Sequence, residues 1–156
     1  MPYVSRKDLQ LTREEMEEFL RSSNWGRLAT ASLDAQPHLT TLGFVFYDGA
    51  IWFHALRRSR RGRHLGENPK AAFLVDDGVA PGQGYSERRG VILYGRCEVA
   101  NEHPDMEAAR DAYVRSFGMR SIDEVQRRTH DWYRMQIDRV SSWDFRKIPA
   151  GTDRKA

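Results

Sequence analysis

Residues 51–69, IWFHALRRSRRGRHLGENP, decide how the rest of the chain is read. Ile51, Trp52 and Phe53 form an apolar, aromatic run of strand composition. The run gives way to Arg57, Arg58, Arg60, Arg61 and Arg63 gathered around Ser59, and a short helical stretch then stops at Asn68-Pro69. Serine is a favoured N-cap, and a helix N-terminus presents free N–H groups at the positive end of its dipole. Guanidiniums beside such a terminus make a phosphate site. The same residues also read as a solvated basic loop or as a nucleic-acid patch.

Working outward, the chain has 156 residues, which predicts one domain with a core spanning about 12–147. Lys+Arg number 25 against 22 Asp+Glu, a net charge of only +3, so the basicity is local and argues against a nucleic-acid partner. A single cysteine, Cys97, excludes an intrachain disulfide and a cysteine metal cluster and fits a reducing cytoplasm. Its strand-like surroundings make it a buried structural thiol. No apolar run suggests a leader or a membrane span, so a soluble cytoplasmic protein is expected.

Upstream, Thr12 and Glu15 fit a capping box and Leu11 and Met16 a hydrophobic staple, predicting a helix over 12–22 that covers a sheet. Strands follow at 26–32, about His38–Tyr47 and Ala50–Leu56, the last two joined by Asp48-Gly49, a strong two-residue hairpin signal. Downstream of the basic junction come strands at Ala71–Val75, 89–100 and 132–145, with helices at 106–117 and from a second capping box, Ser121 and Glu124, to about His130. Val91, Leu93, Cys97 and Val99 share one face of the 89–100 strand, and Gly95 marks a bulge or a close backbone approach. Residues 78–88 read as an exposed loop, Asp76-Asp77 as turn residues and 148–156 as a mobile polar tail. About six strands with close antiparallel hairpins and peripheral helices predict an α+β fold with a barrel-like sheet. A Rossmann fold fails because Gly82-Gln83-Gly84 has Glu87 at the third glycine position.

No catalytic motif presents itself. The chain has no GxSxG, HExxH or Walker pattern, and its five histidines form no pair at metal spacing. Such a chain suits a bound cofactor that carries the hard chemistry while the protein positions it. Strand alternation puts Trp52 and His54 on one face and Phe53 on the other, so His54 is expected to point to the barrel interior or a cofactor cleft.

The order G-x-L-A-T at 26–30, P-H-x-T at 37–40, D-G-x-I-W-F at 48–53 and S-x-R-x-x-x-L-x-x-N-P at 59–69 resembles the pyridoxamine-phosphate-oxidase-like split β-barrel family. GVILYGRCEV at 90–99 resembles a late barrel strand of that family, and RVSSWDFRK at 139–147 is similar to its actinobacterial flavin and deazaflavin oxidoreductase branch. The resemblance covers about 12–147. It implies a homodimer of split barrels holding FMN or the deazaflavin coenzyme F-420 between subunits and passing a hydride to or from a small substrate. By position it implies phosphate binding at Ser59, Arg60, Arg61 and Arg63, a ring lying along the backbone of Thr40, Thr41 and Leu42, and His54 at the ribityl chain or ring edge. Arg61 stands where the family often has lysine, which keeps the charge. No role is carried to Trp143. A non-catalytic carrier and a relative of the nitroimidazole-resistance proteins are the alternatives, whereas vitamin salvage lacks its C-terminal signature.

Overall fold

The computed structural model describes residues 6–150 except Asp123, with the backbone only for Glu124 and Val125. The Ser121–Glu124 capping box and the end of the tail, 151–156, therefore lie outside the described residues.

The chain opens with helix α1, Arg13–Arg21, capped reciprocally as expected: Thr12 Oγ1 accepts from the Glu15 N–H and the Glu15 carboxylate accepts from the Thr12 N–H. Strands β1 (Trp25–Ala31), β2 (Pro37–Gly43), β3 (Val45–Tyr47) and β4 (Ala50–Leu56) follow. Helix α2 spans Arg60–Glu67, then come β5 (Lys70–Asp77), β6 (Arg89–Val99), α3 (Met106–Ser116), α4 (Glu124–Thr129) and β7 (His130–Asp144). All seven strands join one antiparallel sheet in the order β2-β1-β5-β6-β7-β4-β3.

The seventh strand corrects the expected six. The stretch from His38 to Tyr47 is extended nearly throughout, but at Phe44 it changes partner. Before that residue the chain pairs with β1, and after it with β4. The Phe44 N–H instead donates to the Asn24 carbonyl at 2.9 Å. The β3–β4 turn is the two-residue hairpin expected, with φ of 46° at Asp48 and 70° at Gly49.

Because β2 and β3 close opposite ends of the sheet order yet are one residue apart in the chain, the sheet must curl until its ends meet. The inside of the curl is the main core: Leu28, Phe44, Ile51, Phe53, Phe73, Val75, Val91, Leu93 and Met135 are fully buried there. Phe19 and Leu20 of α1 plug one end, with Leu11 and Met16 packed against the same core. A second core lies outside the barrel, where α3 lays Met106, Ala109 and Tyr113 over Trp52 and Trp132.

Two finer expectations change. Val99 is 56% exposed, because the inward alternation of β6 ends at Cys97 and the next covered residue is Ala100, beneath α3. Asp76 and Asp77 end β5 rather than form a turn, and they pair with Arg27 and Arg89. Gly95 does both things expected of it. Tyr94 faces Arg139 and Gly95 faces Ile137, so Asp138 is bulged out of β7, and a Cβ on Gly95 would collide with the Gln136 carbonyl oxygen. Gly95→Ala should therefore lower stability by about 1–3 kcal/mol through forced backbone displacement. A reduced urea midpoint at unchanged m-value would show it.

Candidate cofactor site

Extending the β3–β4 register beyond Val45↔Trp52 would set Gly43 opposite His54 and Thr41 opposite Leu56. The ladder stops short of this, and among the described residues β2 pairs only with β1. The barrel is split here, leaving one edge of β2 without a strand partner. The split separates the two groups of residues singled out in the sequence. Thr40, Thr41 and Leu42 lie along its β2 side, while His54 is on its β4 side just before the basic junction.

On β2, Thr40 shares the inner face with its cross-strand neighbour Leu28, whereas Thr41 points outward and is exposed. Leu42 is 5% exposed and belongs to the core, so it offers a ligand its backbone rather than its side chain.

Opposite them, His54 does not enter the barrel, whose interior receives Phe53 on the same strand. It lies on the outer face under α3, with its ring 5.2 Å from Tyr113, 5.1 Å from Trp132 and 5.2 Å from His130. Burial, then the neighbouring His130 and Arg61, push its pKa down to about 4. The imidazole is consequently neutral at physiological pH. Gly43 permits this arrangement across the split, because a Cβ there would stand 2.6 Å from both the Tyr113 hydroxyl and the Phe117 ring.

The basic junction sorts its cations by function. Arg57 is a strap, donating to Asp131 at 2.7 Å and to the Arg128 carbonyl at 2.8 Å, and it binds the end of β4 to β7. Ser59 caps α2 as expected, accepting from Gly62 N–H at 3.2 Å while its own proton goes to the Leu56 carbonyl at 2.6 Å. That hydroxyl thus fixes the helix start rather than standing free for an anion. Gly62, which the sequence did not flag, is required by the same tuck, since a Cβ would lie 2.7–2.8 Å from the carbonyl oxygens of Arg57 and Leu56. Among the described residues Arg60 and Arg61 form no ion pair, and the Nε of Arg61 is buried with no hydrogen-bond partner. Arg61 is close enough to both sides of the split to depress His38 on β2 and His54 on β4. Arg63 is exposed and acts on neither histidine, so the geometry does not gather it with the other two.

His38 is the site residue that sequence reasoning missed. It is half-buried on β2, with its ring 6.0 Å from that of His64 on α2. Its sequence signal, the P-H-x-T pattern, gave the family but no role. A phosphate-bearing group fits these residues: two unpaired guanidiniums, an orphaned buried Nε–H, and the amides of Arg60 and Arg61 at a capped helix start. Among the described residues no trio of His, Cys, Asp or Glu could hold a metal, and Cys97 is buried with its pKa pushed up to about 12. Nor can Trp52 stack on a base, because it is fully buried and its indole N–H donates to the Tyr47 carbonyl at 3.1 Å.

The profile of pyridoxamine 5'-phosphate oxidase matches residues 12–144. The chain belongs to that family. A 5a,11a-dehydrotetracycline/5a,11a-dehydrooxytetracycline reductase of Streptomyces rimosus is 30% identical over 94 residues, 58% of this chain and 64% of that protein. The chain thus matches somewhat less than two thirds of this curated relative's length. A conserved hypothetical protein of Mycobacterium tuberculosis superposes with a TM-score of 0.78 at 28% identity over 99% of both chains. An F420 reductase shares the fold, with a TM-score of 0.61 at 18% identity over 80% of this chain and 94% of its own. No described helix is long and apolar enough to cross a membrane.

Holding His54 near 4 also predicts a pH signature. An unfolded histidine titrates near 6.5, so protonation disfavours the fold, and stability should fall as pH drops from about 6.5 to about 4 and then level off. His54→Gln should remove this component, seen as a flatter Tm against pH over the same window.

Proposed function

We propose that this protein is an FMN- or F420-dependent oxidoreductase that passes a hydride between the bound cofactor and a small substrate. The observation carrying this reading is the convergence, on one split in the barrel, of a free strand edge and two uncommitted arginines, one with a buried unpaired Nε. The reductase relative and the F420 reductase of the same fold support it.

A bound flavin or deazaflavin would supply the hydride chemistry itself. The chain's part is positional. Arg60, Arg61 and the first amides of α2 hold the phosphate, the unpaired edge at Thr40–Leu42 runs along the ring, and neutral His54 sits behind it as a hydrogen-bonding group. The reaction then needs no proton from His54, and His54→Gln should lower turnover by well under the upper end of the 10²–10⁴-fold range typical of a lost general acid or base.

Cofactor binding between two subunits fits the uncovered side of the sheet. Register places Ala29, Leu39, Ala72, Leu74, Ile92 and Tyr94 on one outer face, partly or largely exposed, where α3 does not reach. An apolar face of this kind is suited to a second copy. A homodimer at micromolar concentration is expected by sedimentation, and Ile92→Arg should give monomers that bind cofactor poorly. Tight binding by those monomers would rule out a shared site.

The deciding experiment is native mass spectrometry after incubation with FMN and with F420, followed by turnover with an electron acceptor. Arg60→Ala with Arg61→Ala should weaken binding roughly a hundredfold or more, since charge-assisted hydrogen bonds contribute about 1.5–3 kcal/mol each. Binding without turnover would instead identify a carrier.

A further inference from the structure

Facing the phosphate cradle is a pair of histidines that the reading above leaves unused. His64 is 8% exposed, and its Nδ1 is 3.1 Å from the Thr30 hydroxyl, which fixes the ring on β1. Its neighbour His38 is the cross-strand partner of Thr30 and meets His64 edge to face at 6.0 Å. Arg60 and Arg61 stand four and three residues before His64 on α2, on the same side of the helix, and complete the group. Four cationic or protonatable side chains from β2 and α2 thus converge, and among the described residues none is paired with a carboxylate. The acid that senses this corner is Asp34 in the β1–β2 turn, an exposed side chain bonded to the Ser32 hydroxyl. Burial and the charges of Arg60, His64 and Arg61 hold the His38 pKa below the ordinary histidine value. Like charges brought together without a counter-charge are costly, and a dianion among them removes that cost.

We propose that His38 is a further anion-binding residue of the cradle: it takes up a proton from solvent as a phosphate-like dianion settles beside Arg60 and Arg61, so that anion binding and proton uptake are coupled. Affinity for a permanently dianionic ligand then rises as pH falls through the His38 midpoint of the complex toward the lower midpoint of the free protein, and is flat above that window. His64, pinned by Thr30, positions the His38 ring. The inference rests on the phosphate cradle of the preceding section but not on redox chemistry.

Sulfate is a suitable probe because it stays dianionic across pH 5–8, whereas a phosphate monoester itself titrates near pH 6. Histidine Cε1–H resonances of the protein are followed by NMR against pH in sodium sulfate and in sodium chloride of equal ionic strength. The expected result is a His38 midpoint higher in sulfate by about one pH unit or more, the effect of an opposite charge within a few ångströms. Arg60→Ala with Arg61→Ala should abolish the change while resonances of the distant core stay in place. A His38 midpoint that is equal in the two salts, that moves equally in the double mutant, or that moves together with every other histidine would overturn the proposal. A parallel titration uses FMN and F420 with wild type and His38→Gln. Sulfate moving His38 while neither cofactor binds would uphold the anion residue and refute the oxidoreductase reading. Cofactor binding with His38 unmoved by any anion would do the reverse.

Discussion

The ends of a seven-stranded sheet are one residue apart in this chain, and most of the molecule follows from that constraint. β2 and β3 occupy opposite ends of the strand order, yet only Phe44 separates them. An open, twisted sheet would leave those ends far apart, so the sheet must curl. Phe44 sits where the ends meet, fully buried, its ring 5.0 Å from Phe73 and its N–H bonded to Asn24. The same residue also ends the ladder. β3 needs β4, β2 needs β1, and past that junction no strand remains to fill the space between β2 and β4. The split is the consequence of one chain serving two ladders in succession.

Electrostatics at the split follow from which partners were within reach. Arg57 ends β4 beside β7 and finds Asp131, so its charge is committed. Arg60 and Arg61, a turn further on, are carried by α2 to the mouth of the split, where among the described residues neither forms an ion pair. The helix is held there by Ser59 and by the bare backbone at Gly62. Burial displaces the histidines on both walls, His38 and His54, toward their neutral forms, and the field of Arg61 adds to it at both, that of Arg60 at His38. A cluster of uncompensated cations in a partly buried place destabilises the fold locally, and it is the expected signature of a site arranged for an anion.

Local chemistry made much of this legible. The Thr12–Glu15 cap, the Asp48-Gly49 turn and the Ser59 cap each rest on residues within a few positions of one another, and each formed as the sequence predicts. The bulge at Asp138, opposite Gly95, was likewise marked by a single glycine in a strand. What the sequence withheld depends on partners far along the chain. Nothing in the run from His38 to Tyr47 marks Phe44, because in-and-out alternation continues unbroken through a change of hydrogen-bonding partner. Strand alternation put His54 on the face opposite Phe53, but only the docking of α3 shows that this face is covered by Tyr113. His38 meets His64 because α2 folds back over the first hairpin, a contact with no local signal.

That division of labour bears on how such a site does chemistry. Apart from His38 beside the arginines, the groups nearest the split are a neutral histidine held near 4, two threonines, backbone and arginines, none of which is poised to exchange a proton at neutral pH. What the chain does offer is fixed geometry. The cap, the glycine and the strap of Arg57 hold α2 to the strand end, so the two arginines are presented from a helix start that has little freedom to move. Placing one end of an elongated ligand in this way fixes where its other end can lie along β2. Orientation of this kind can supply up to about 7–11 kcal/mol of a bimolecular barrier. A scaffold that anchors one end of a cofactor and leaves the opposite face open can serve different substrates by changing only what covers that face. In this chain one flank is covered by α3 and the other is the apolar outer sheet, so the proposed reaction and the proposed assembly would share a border at β2.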